Sequence, residues 1–190
     1  VVFVGLQAVI KDLLIDLWNN NFFNRPEEEV VAQFKKRMDK ALGPGAVDAE
    51  NVRALHKLGY LPVRIKAIQE GSRVNIGVPL FTIVNTNPKF FWITNYLETQ
   101  LSAECWKMIT NATIAYEYRR LLTKFAKKTG SPLEFVAWQG HDFSLRGMSG
   151  VADGIKSGFG HLCSFYGTDT IAALDFSEEF YYGDDTFLGG

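Results

Sequence analysis

Cysteine is scarce in this chain of 190 residues, which contains only Cys105 and Cys163. Each stands alone in an apolar stretch, without the Cys-x-x-Cys spacing or the nearby histidines that metal and redox sites use. The pattern argues against a disulfide framework and against a cysteine-bound metal. It predicts two reduced thiols in the core of a cytoplasmic protein.

The chain also lacks an excess of charge of either sign, because 20 basic residues nearly balance 21 acidic ones. Balanced charge gives no electrostatic basis for nucleic acid or an acidic membrane surface as the main partner. Long apolar runs are missing as well, since the opening run Val1–Leu6 meets Lys11 well before the ~20 residues that a membrane span needs. We therefore expect no nucleic-acid partner and no membrane association.

The nucleotide-binding fingerprints GxxxxGK[ST] and GxGxxG are absent from the sequence. Gly150, Gly154 and Gly158 instead recur every four residues, within a segment that has the apolar pattern of a helix. This spacing predicts a glycine face on which the helix approaches a sheet closely, and it requires no phosphate-binding loop.

The spacing of apolar residues predicts mixed secondary structure in the first 130 residues. Intervals of three and four residues indicate helices at 3–18, 26–42, 48–58, 91–109 and 114–125. Asn19–Asn21 is expected to end the first helix, and Asn87 with Pro88 is expected to cap the start of the fourth. Alternating apolar and polar residues predict locally connected antiparallel strands at 63–67, 74–77 and 80–84.

After Gly130 the pattern changes to short apolar strands that alternate with helices, which is typical of βα units. The predicted order is a strand at 133–138, a helix at 149–162, a strand at 163–166 and a helix from about residue 170. We therefore expect an α/β protein with an α+β part. Residues 1–130 would form a helical and antiparallel-strand region of a mixed domain, and residues 131–190 the first βα units of a second domain.

Two segments carry the strongest indication of a site: Gly140–Gly147, with the sequence GHDFSLRG, and Gly167–Thr170, with the sequence GTDT. Each places aromatic or charged side chains where an apolar run meets a glycine turn and a predicted helix. Sites for small molecules in α/β proteins are built at such strand-to-helix connections.

These segments, together with others in the same order along the chain, resemble the nicotinamide phosphoribosyltransferases. The matching stretches are Ile83–Pro88 (IVNTNP), Trp92–Thr99 (WITNYLET), Gly140–Phe143 with Arg146–Gly147, and His161–Thr170. The resemblance implies a partial type II phosphoribosyltransferase fold, in which barrel-like βα units stand beside a mixed domain. It also implies a homodimer with shared active sites that makes nicotinamide mononucleotide and pyrophosphate from nicotinamide and phosphoribosyl pyrophosphate.

The resemblance assigns substrate contacts to three residues. Phe143 would offer its aromatic face to the pyridine ring, the alternative being a phenylalanine of the core. Arg146 would donate its planar fork to the carboxamide oxygen and to the diphosphate, the alternative being an ordinary exposed arginine. Asp169 would accept a hydrogen bond from the amide of nicotinamide and repel the carboxylate of nicotinate, and it could also cap a helix. His141 and His161 are expected to have structural roles.

Other parts of the implied enzyme are expected outside this chain, which begins without Met and ends just after a predicted helix. The phosphorylated histidine that couples the reaction to ATP hydrolysis is expected beyond Gly190. No catalytic residue, and no ligand of the Mg²⁺ and ATP expected for the full-length enzyme, is therefore assigned here, and the chain alone is expected to be inactive. Two alternatives stay open: a nicotinate phosphoribosyltransferase, or a non-catalytic remnant that forms dimers or senses a ligand.

Overall fold

The computed structural model describes residues 1–182, and the chain divides into two compact units. One unit consists of Val1–Val9, Ala67–Phe81 and the chain from Thr99 onward, and the other of Ile10–Lys66 and Thr82–Glu98. The division at residue 130 that the sequence suggests refers to a longer protein and stays a prediction. Within residues 1–182, every helix is too short or too polar to cross a lipid bilayer.

The first helical segment extends further than the sequence predicts. Helix α1 is Leu6–Val9, and π-helical segments follow it at Ile10–Leu17 and Asn19–Phe23. The prediction that Asn19–Asn21 ends the helix is therefore wrong. The rings of Phe22 and Phe23 lie 5.4 and 6.1 Å from the indole of Trp18, and these aromatic contacts offset the poor helix propensity of three asparagines.

The next two helices confirm the sequence prediction. Helix α2 is Glu27–Leu42 and helix α3 is Glu50–Leu58. Acidic residues fill the first turn of α2, where they favour the positive end of the helix dipole, and Gly59 ends α3 in the left-handed conformation. Arg53 of α3 donates to Glu27 of α2 at 2.6 Å, and His56 contacts the carbonyl oxygen of Arg25 at 2.8 Å.

Two of the three predicted antiparallel strands are present. Strand β1 is Val63–Ala67 and strand β2 is Phe81–Asn85, and main-chain bonds from Ile68 to Leu80 and from Thr86 to Pro62 flank their antiparallel pairing. The strand predicted at 74–77 is wrong. The chain turns there instead, because Gly77 has a φ of +90° and the N–H of Val78 bonds back to Asn75.

One helix of 37 residues, α4 (Ile93–Thr129), replaces the two helices predicted in this region. The polar residues between the two apolar stripes do not break it, because their side chains have partners. Asn111 donates to the hydroxyl of Ser157 at 2.6 Å, and the hydroxyl of Thr113 donates to the carbonyl of Ile109 at 2.7 Å. The side chain of Asn87 caps the short 3₁₀ turn that precedes α4, where it accepts from the N–H of Lys89.

The C-terminal part alternates helices with very short strands. Its elements are α5 (Val136–Gln139), β3 (His141–Asp142), a 3₁₀ turn (Ser144–Gly147), α6 (Val151–Leu162), β4 (Gly167–Thr168), α7 (Ala172–Ser177) and a π-helical turn (Glu178–Tyr182). Helix α6 confirms the prediction, whereas the strands predicted at 133–138 and 163–166 are wrong. Both segments form helical turns, as in the bonds from Trp138 to Phe135 and from Phe165 to His161, and the strands lie directly after them.

Glycines in α6 permit close contacts with neighbouring helices as well as with a sheet, since a Cβ atom at Gly158 would lie 3.2 Å from a carboxylate oxygen of Asp142 in β3. A Cβ atom at Gly160 would lie 2.7 Å from the carbonyl oxygen of Met108 in α4, so here the backbones of two helices touch. At Gly158 it would lie 2.8 Å from the Cβ of Ala173 in α7. The described residues are mostly helical with two small sheets, which is consistent with the α/β class.

The two cysteines are both free thiols, but only one lies in the core. Cys105 is buried in α4, and burial raises the pKa of its thiol to about 12. Cys163 is exposed, so the prediction of two core thiols is wrong for this residue. It stands just after the last turn of α6, where its side chain bonds to the carbonyl of Phe159.

Candidate functional site

The two motifs that indicate a site lie side by side in the structure. Strands β3 and β4 pair in parallel, with His141 opposite Gly167 and Asp142 opposite Thr168. Directly after the strands, the N–H of Asp169 donates to the main-chain carbonyl of Asp142 at 2.9 Å. The residues that follow both strands therefore leave from the same edge of a parallel pair, which is where α/β proteins place their ligands.

The carboxylate of Asp142, a residue of the first motif, accepts hydrogen bonds from both motifs. It is buried, with 6% of its surface exposed. One oxygen accepts from the hydroxyls of Thr168 at 3.1 Å and Thr170 at 3.0 Å, and the other accepts from the N–H of Ser144 at 3.0 Å. Burial alone would raise the pKa of Asp142, but the hydrogen bonds from Ser144, Thr170 and Thr168 outweigh it and hold the pKa below the ordinary value.

Above this buried acid, His141 and Asp169 form a second link between the motifs. The Nε2 atom of His141 lies 2.8 Å from Oδ1 of Asp169, and both side chains are partly exposed. Among residues 1–182, only this one oxygen of the Asp169 carboxylate has a hydrogen-bonding partner. Helix α7 begins after Ile171 without a side-chain cap, so the alternative in which Asp169 caps the helix is wrong.

Phe143 stands on the surface beside this pair. Its side chain is 57% exposed, so the alternative in which it belongs to the core is wrong. Its ring lies 4.5 Å from the imidazole of His141, with 37° between the ring planes. Three residues later Arg146 is exposed on the 3₁₀ turn, and no described residue forms a hydrogen bond or ion pair with its guanidinium. Its positive charge is available to a ligand.

A cleft of about 400 Å³ opens next to these residues, which is within the range of small-molecule sites. It is lined by apolar and polar residues of α4 and α6 and by residues in and around β3. The lining residues are Asn111, Ile114, Ala115, Tyr118, Leu122, Gln139, Gly140, His141, Asp142, Ser144, Ser157, His161 and Phe165. His141 lines this cleft, whereas Phe143, Arg146 and Asp169 are not among the lining residues.

His161 links the first residues of the two motifs. Its Nε2 atom lies 3.3 Å from the carbonyl oxygen of Gly140 and 3.1 Å from that of Gly167, and its ring stacks on Phe165. Because carbonyl oxygens only accept, Nε2 carries the proton. Burial lowers the pKa of His161 and keeps the imidazole neutral, against the opposing effect of Asp142. These contacts give His161 the structural role that the sequence predicts.

Comparison with known proteins gives this arrangement a family. Over 181 residues, or 95% of its length, the chain is 58% identical to a protein of Acinetobacter baylyi named nicotinamide phosphoribosyltransferase. The chain is thus a homologue, over nearly its whole length, of proteins named nicotinamide phosphoribosyltransferase. It is also 32% identical over 182 residues to the protein of that name from Xanthomonas campestris pv. campestris, and 36% identical over 114 residues to that from Mycoplasma pneumoniae.

The similarity to these nicotinamide phosphoribosyltransferases covers nearly all of the chain but a minor part of each relative. The chain spans 36% of the Acinetobacter protein and 37% of the Xanthomonas protein. The Mycoplasma match covers 58% of the chain and 25% of the relative. No family model matches the chain.

The structure brings the three residues that the family resemblance singles out to one edge of the β3–β4 pair. Phe143 and Asp169 both contact His141, and Arg146 follows on the next turn. Sequence reasoning missed Asp142, although it lies inside the quoted motif. It also missed the bond of 2.9 Å between the hydroxyls of Ser144 and Ser157. No local sequence signal marks Asp142, because its partners Thr168 and Thr170 lie 26 and 28 positions away.

Proposed function

We propose that the protein to which this chain belongs is a nicotinamide phosphoribosyltransferase. It would join nicotinamide to phosphoribosyl pyrophosphate and form nicotinamide mononucleotide and pyrophosphate. The observation that carries the proposal is that an exposed aromatic ring, Phe143, and an exposed carboxylate, Asp169, both contact His141, which lines a cleft. The names of the relatives support the same activity.

Asp169 would select the base through its charge. One oxygen of its carboxylate bonds to His141, which holds the group in place, and the other is available to accept from the carboxamide N–H of nicotinamide. Nicotinate would place a second carboxylate at the same position, where two like charges repel and no donor is present. A site built around such a hydrogen bond discriminates strongly against a ligand that lacks the donor.

Phe143 and Arg146 would hold the rest of the reactants. The exposed face of the Phe143 ring suits a flat pyridine ring, which stacks in an offset arrangement. The planar guanidinium of Arg146 can donate two parallel hydrogen bonds to the carboxamide oxygen or to the oxygens of the diphosphate. Both residues follow β3 directly, so the base and the diphosphate would be held by one short segment.

In the proposed reaction the pyridine nitrogen attacks the anomeric carbon of the ribose, and the bond from that carbon to pyrophosphate breaks. The residues of this chain would bind the base and orient its nitrogen, which is catalysis by positioning. Residues 1–182 contain no group of three or more His, Cys, Asp or Glu side chains that could hold a metal ion. We propose that Mg²⁺, ATP and a phosphorylated histidine act through parts of the protein that this chain does not cover.

The proposal also covers the fold, the assembly and the cellular location of the full-length protein. We infer a type II phosphoribosyltransferase fold, a homodimer with shared active sites, and a location in the cytoplasm. The parallel βα arrangement of β3, α6 and β4 supports the fold, and the relatives' names support the activity from which the rest follows.

The proposal is tested by product formation in the full-length protein. Wild-type protein supplied with phosphoribosyl pyrophosphate and nicotinamide should form nicotinamide mononucleotide, and Asp169→Ala should lose most of that activity. Asp175→Ala is the matched control, because this carboxylate is exposed on α7 close by in sequence. Turnover of nicotinate instead would point to the nicotinate enzyme, and turnover of neither base would favour the non-catalytic alternative.

A further inference from the structure

The proposed function leaves the carboxylate of Asp142 without a role. It is buried, three donors surround it, and it lies below the surface on which the base would bind. Burying a charged group is costly unless its hydrogen bonds are satisfied, and a neutral residue of the same size would avoid that cost.

Each hydrogen bond of Asp142 ends next to a proposed base-binding residue. Ser144, whose N–H donates to one carboxylate oxygen, directly follows Phe143. Thr168 and Thr170, which donate to the other oxygen, stand on both sides of Asp169. The main-chain carbonyl of Asp142 also accepts from the N–H of Asp169 itself. Asp142 therefore fixes the position of both turns, the one that carries Phe143 and the one that carries Asp169.

The surroundings of Asp142 leave this link little freedom. A Cβ atom at Gly158 would lie 3.2 Å from its carboxylate oxygen and 3.2 Å from the Cβ of Thr170, so α6 closes that side of the acid. On the other side, the hydroxyl of Ser144 bonds to Ser157, which in turn accepts from Asn111 of α4. The two turns are thus held against two long helices through a connected set of hydrogen bonds, which favours a single geometry.

We propose that Asp142 is a positioning residue for base recognition: it sets the spacing between the ring of Phe143 and the carboxylate of Asp169 that nicotinamide must fit. The inference rests on the proposed function, because it takes these two residues as the base contacts. The carboxylate does not touch the base. It acts through Ser144, Thr168 and Thr170, and a small displacement of either turn weakens binding of the base while leaving the phosphoribosyl side unchanged.

The clearest test removes one of these bonds without changing the shape of the site. Thr170 is fully buried, and the bond to Asp142 is the one that its hydroxyl donates. In the full-length protein, Thr170→Val replaces that hydroxyl with a methyl group of similar size, and Thr170→Ser keeps it. Ser177→Ala is the control, because it removes a buried hydroxyl that donates to the carbonyl of Ala173 in α7, away from Asp142.

We expect Thr170→Val to raise the KM for nicotinamide about tenfold, which is the size of effect that a lost bond to a charged group gives. The KM for phosphoribosyl pyrophosphate should stay within about twofold of the wild type, and Thr170→Ser should restore the KM for nicotinamide. A residue that only stabilised the fold would lower the amount of active protein and leave both KM values unchanged. Ser177→Ala should behave in that second way.

The outcomes separate this inference from the function on which it rests. If the wild type makes nicotinamide mononucleotide but Thr170→Val keeps the KM for nicotinamide, the positioning role is wrong and the function stands. If the wild type makes no nicotinamide mononucleotide, the proposed function is wrong, and the inference that rests on it is wrong as well. Should Thr170→Val not fold, Asp142→Asn carries the test, since it keeps the size of the side chain. The same selective rise in KM supports the inference, and equal changes for both substrates overturn it.

Discussion

The imidazole Nε2 of His141 lies 2.8 Å from Oδ1 of Asp169, although the two residues are 28 positions apart in the sequence. The same imidazole contacts the ring of Phe143, with 4.5 Å between the ring centres. Phe143 and Asp169 thus contact the same imidazole. This shared contact supports the assignment of Phe143 and Asp169 to one ligand site.

The first prediction concerns the aromatic face. Phe143→Leu keeps an apolar side chain but removes the ring, and stacking of a base on an aromatic side chain contributes about 1–3 kcal/mol. We expect the KM for nicotinamide in the full-length protein to rise about tenfold or more. Because Phe143 is exposed, the midpoint of thermal unfolding should not change. Phe135→Leu is the control, since this ring is similarly exposed and is not among the proposed base contacts. An unchanged KM in Phe143→Leu would remove this residue from the site.

The second prediction concerns the guanidinium of Arg146. Arg146→Lys keeps the positive charge but loses the planar fork that donates two parallel hydrogen bonds. We expect kcat/KM for phosphoribosyl pyrophosphate to fall about tenfold, the effect of one lost charge-assisted bond. Arg120→Lys is the control, because Arg120 is exposed and pairs only with the nearby Glu117 among the described residues. Equal activities in the two variants would show that Arg146 is an ordinary exposed arginine, which is the alternative to a substrate contact.

The third prediction concerns pH and the buried imidazole of His161. Its pKa in the folded protein is lowered by burial, below the value of about 6.5 for an unfolded chain. The unfolded state therefore binds more protons as the pH falls below that value, and the folded state loses stability until its own pKa is reached. The contribution of His161 is fully present above about pH 6.5 and declines below it.

His161→Gln keeps a donor for the carbonyls of Gly140 and Gly167 but does not titrate. Between about pH 7.5 and about pH 5.5, the unfolding midpoint of the wild type should fall further than that of His161→Gln. Thermal unfolding of both proteins across this range measures the difference. Two curves that stay parallel would show that His161 does not contribute to the pH dependence.

The fourth prediction concerns the contact between α4 and α6. A Cβ atom at Gly160 would lie 2.7 Å from the carbonyl oxygen of Met108 and 2.9 Å from the amide nitrogen of Ala112. These are backbone atoms of a long helix, so Gly160→Ala should cost about 1–3 kcal/mol of unfolding free energy in spite of the better helix propensity of alanine. Gly147→Ala is the control, since no atom lies within 4 Å of its added Cβ. Chemical denaturation of both variants gives the comparison, and equal stabilities would contradict the close contact.

The sequence predicts those elements whose signals are local. Helices α2 and α3 are recognised from apolar residues at intervals of three and four, and β1 and β2 from alternation over five residues. Strands β3 and β4 have two residues each, which is too short for any alternation to show. The apolar runs before them form helical turns, so the two strands predicted there are wrong, and the observed strands lie directly after those runs.

The candidate site could be foreseen only in part, for a similar reason. The glycine turns and the residues after them mark Phe143 and Asp169, and the parallel pairing of β3 and β4 places both at one edge. The bonds of Asp142 join residues 2, 26 and 28 positions away, and no spacing within a helix or strand links such positions. The polar contacts of Asn111, which keep α4 continuous, are likewise tertiary and could not be predicted from a local pattern.

The most direct test of the central claim is the selectivity of the full-length protein between two bases. With phosphoribosyl pyrophosphate as the second substrate, kcat/KM is measured for nicotinamide and for nicotinate, in the wild type and in Asp169→Asn. We predict a wild-type preference for nicotinamide of at least about 100-fold, which Asp169→Asn reduces because the repelling charge is gone. A wild-type preference for nicotinate, or a preference for nicotinamide that Asp169→Asn leaves intact, would contradict it.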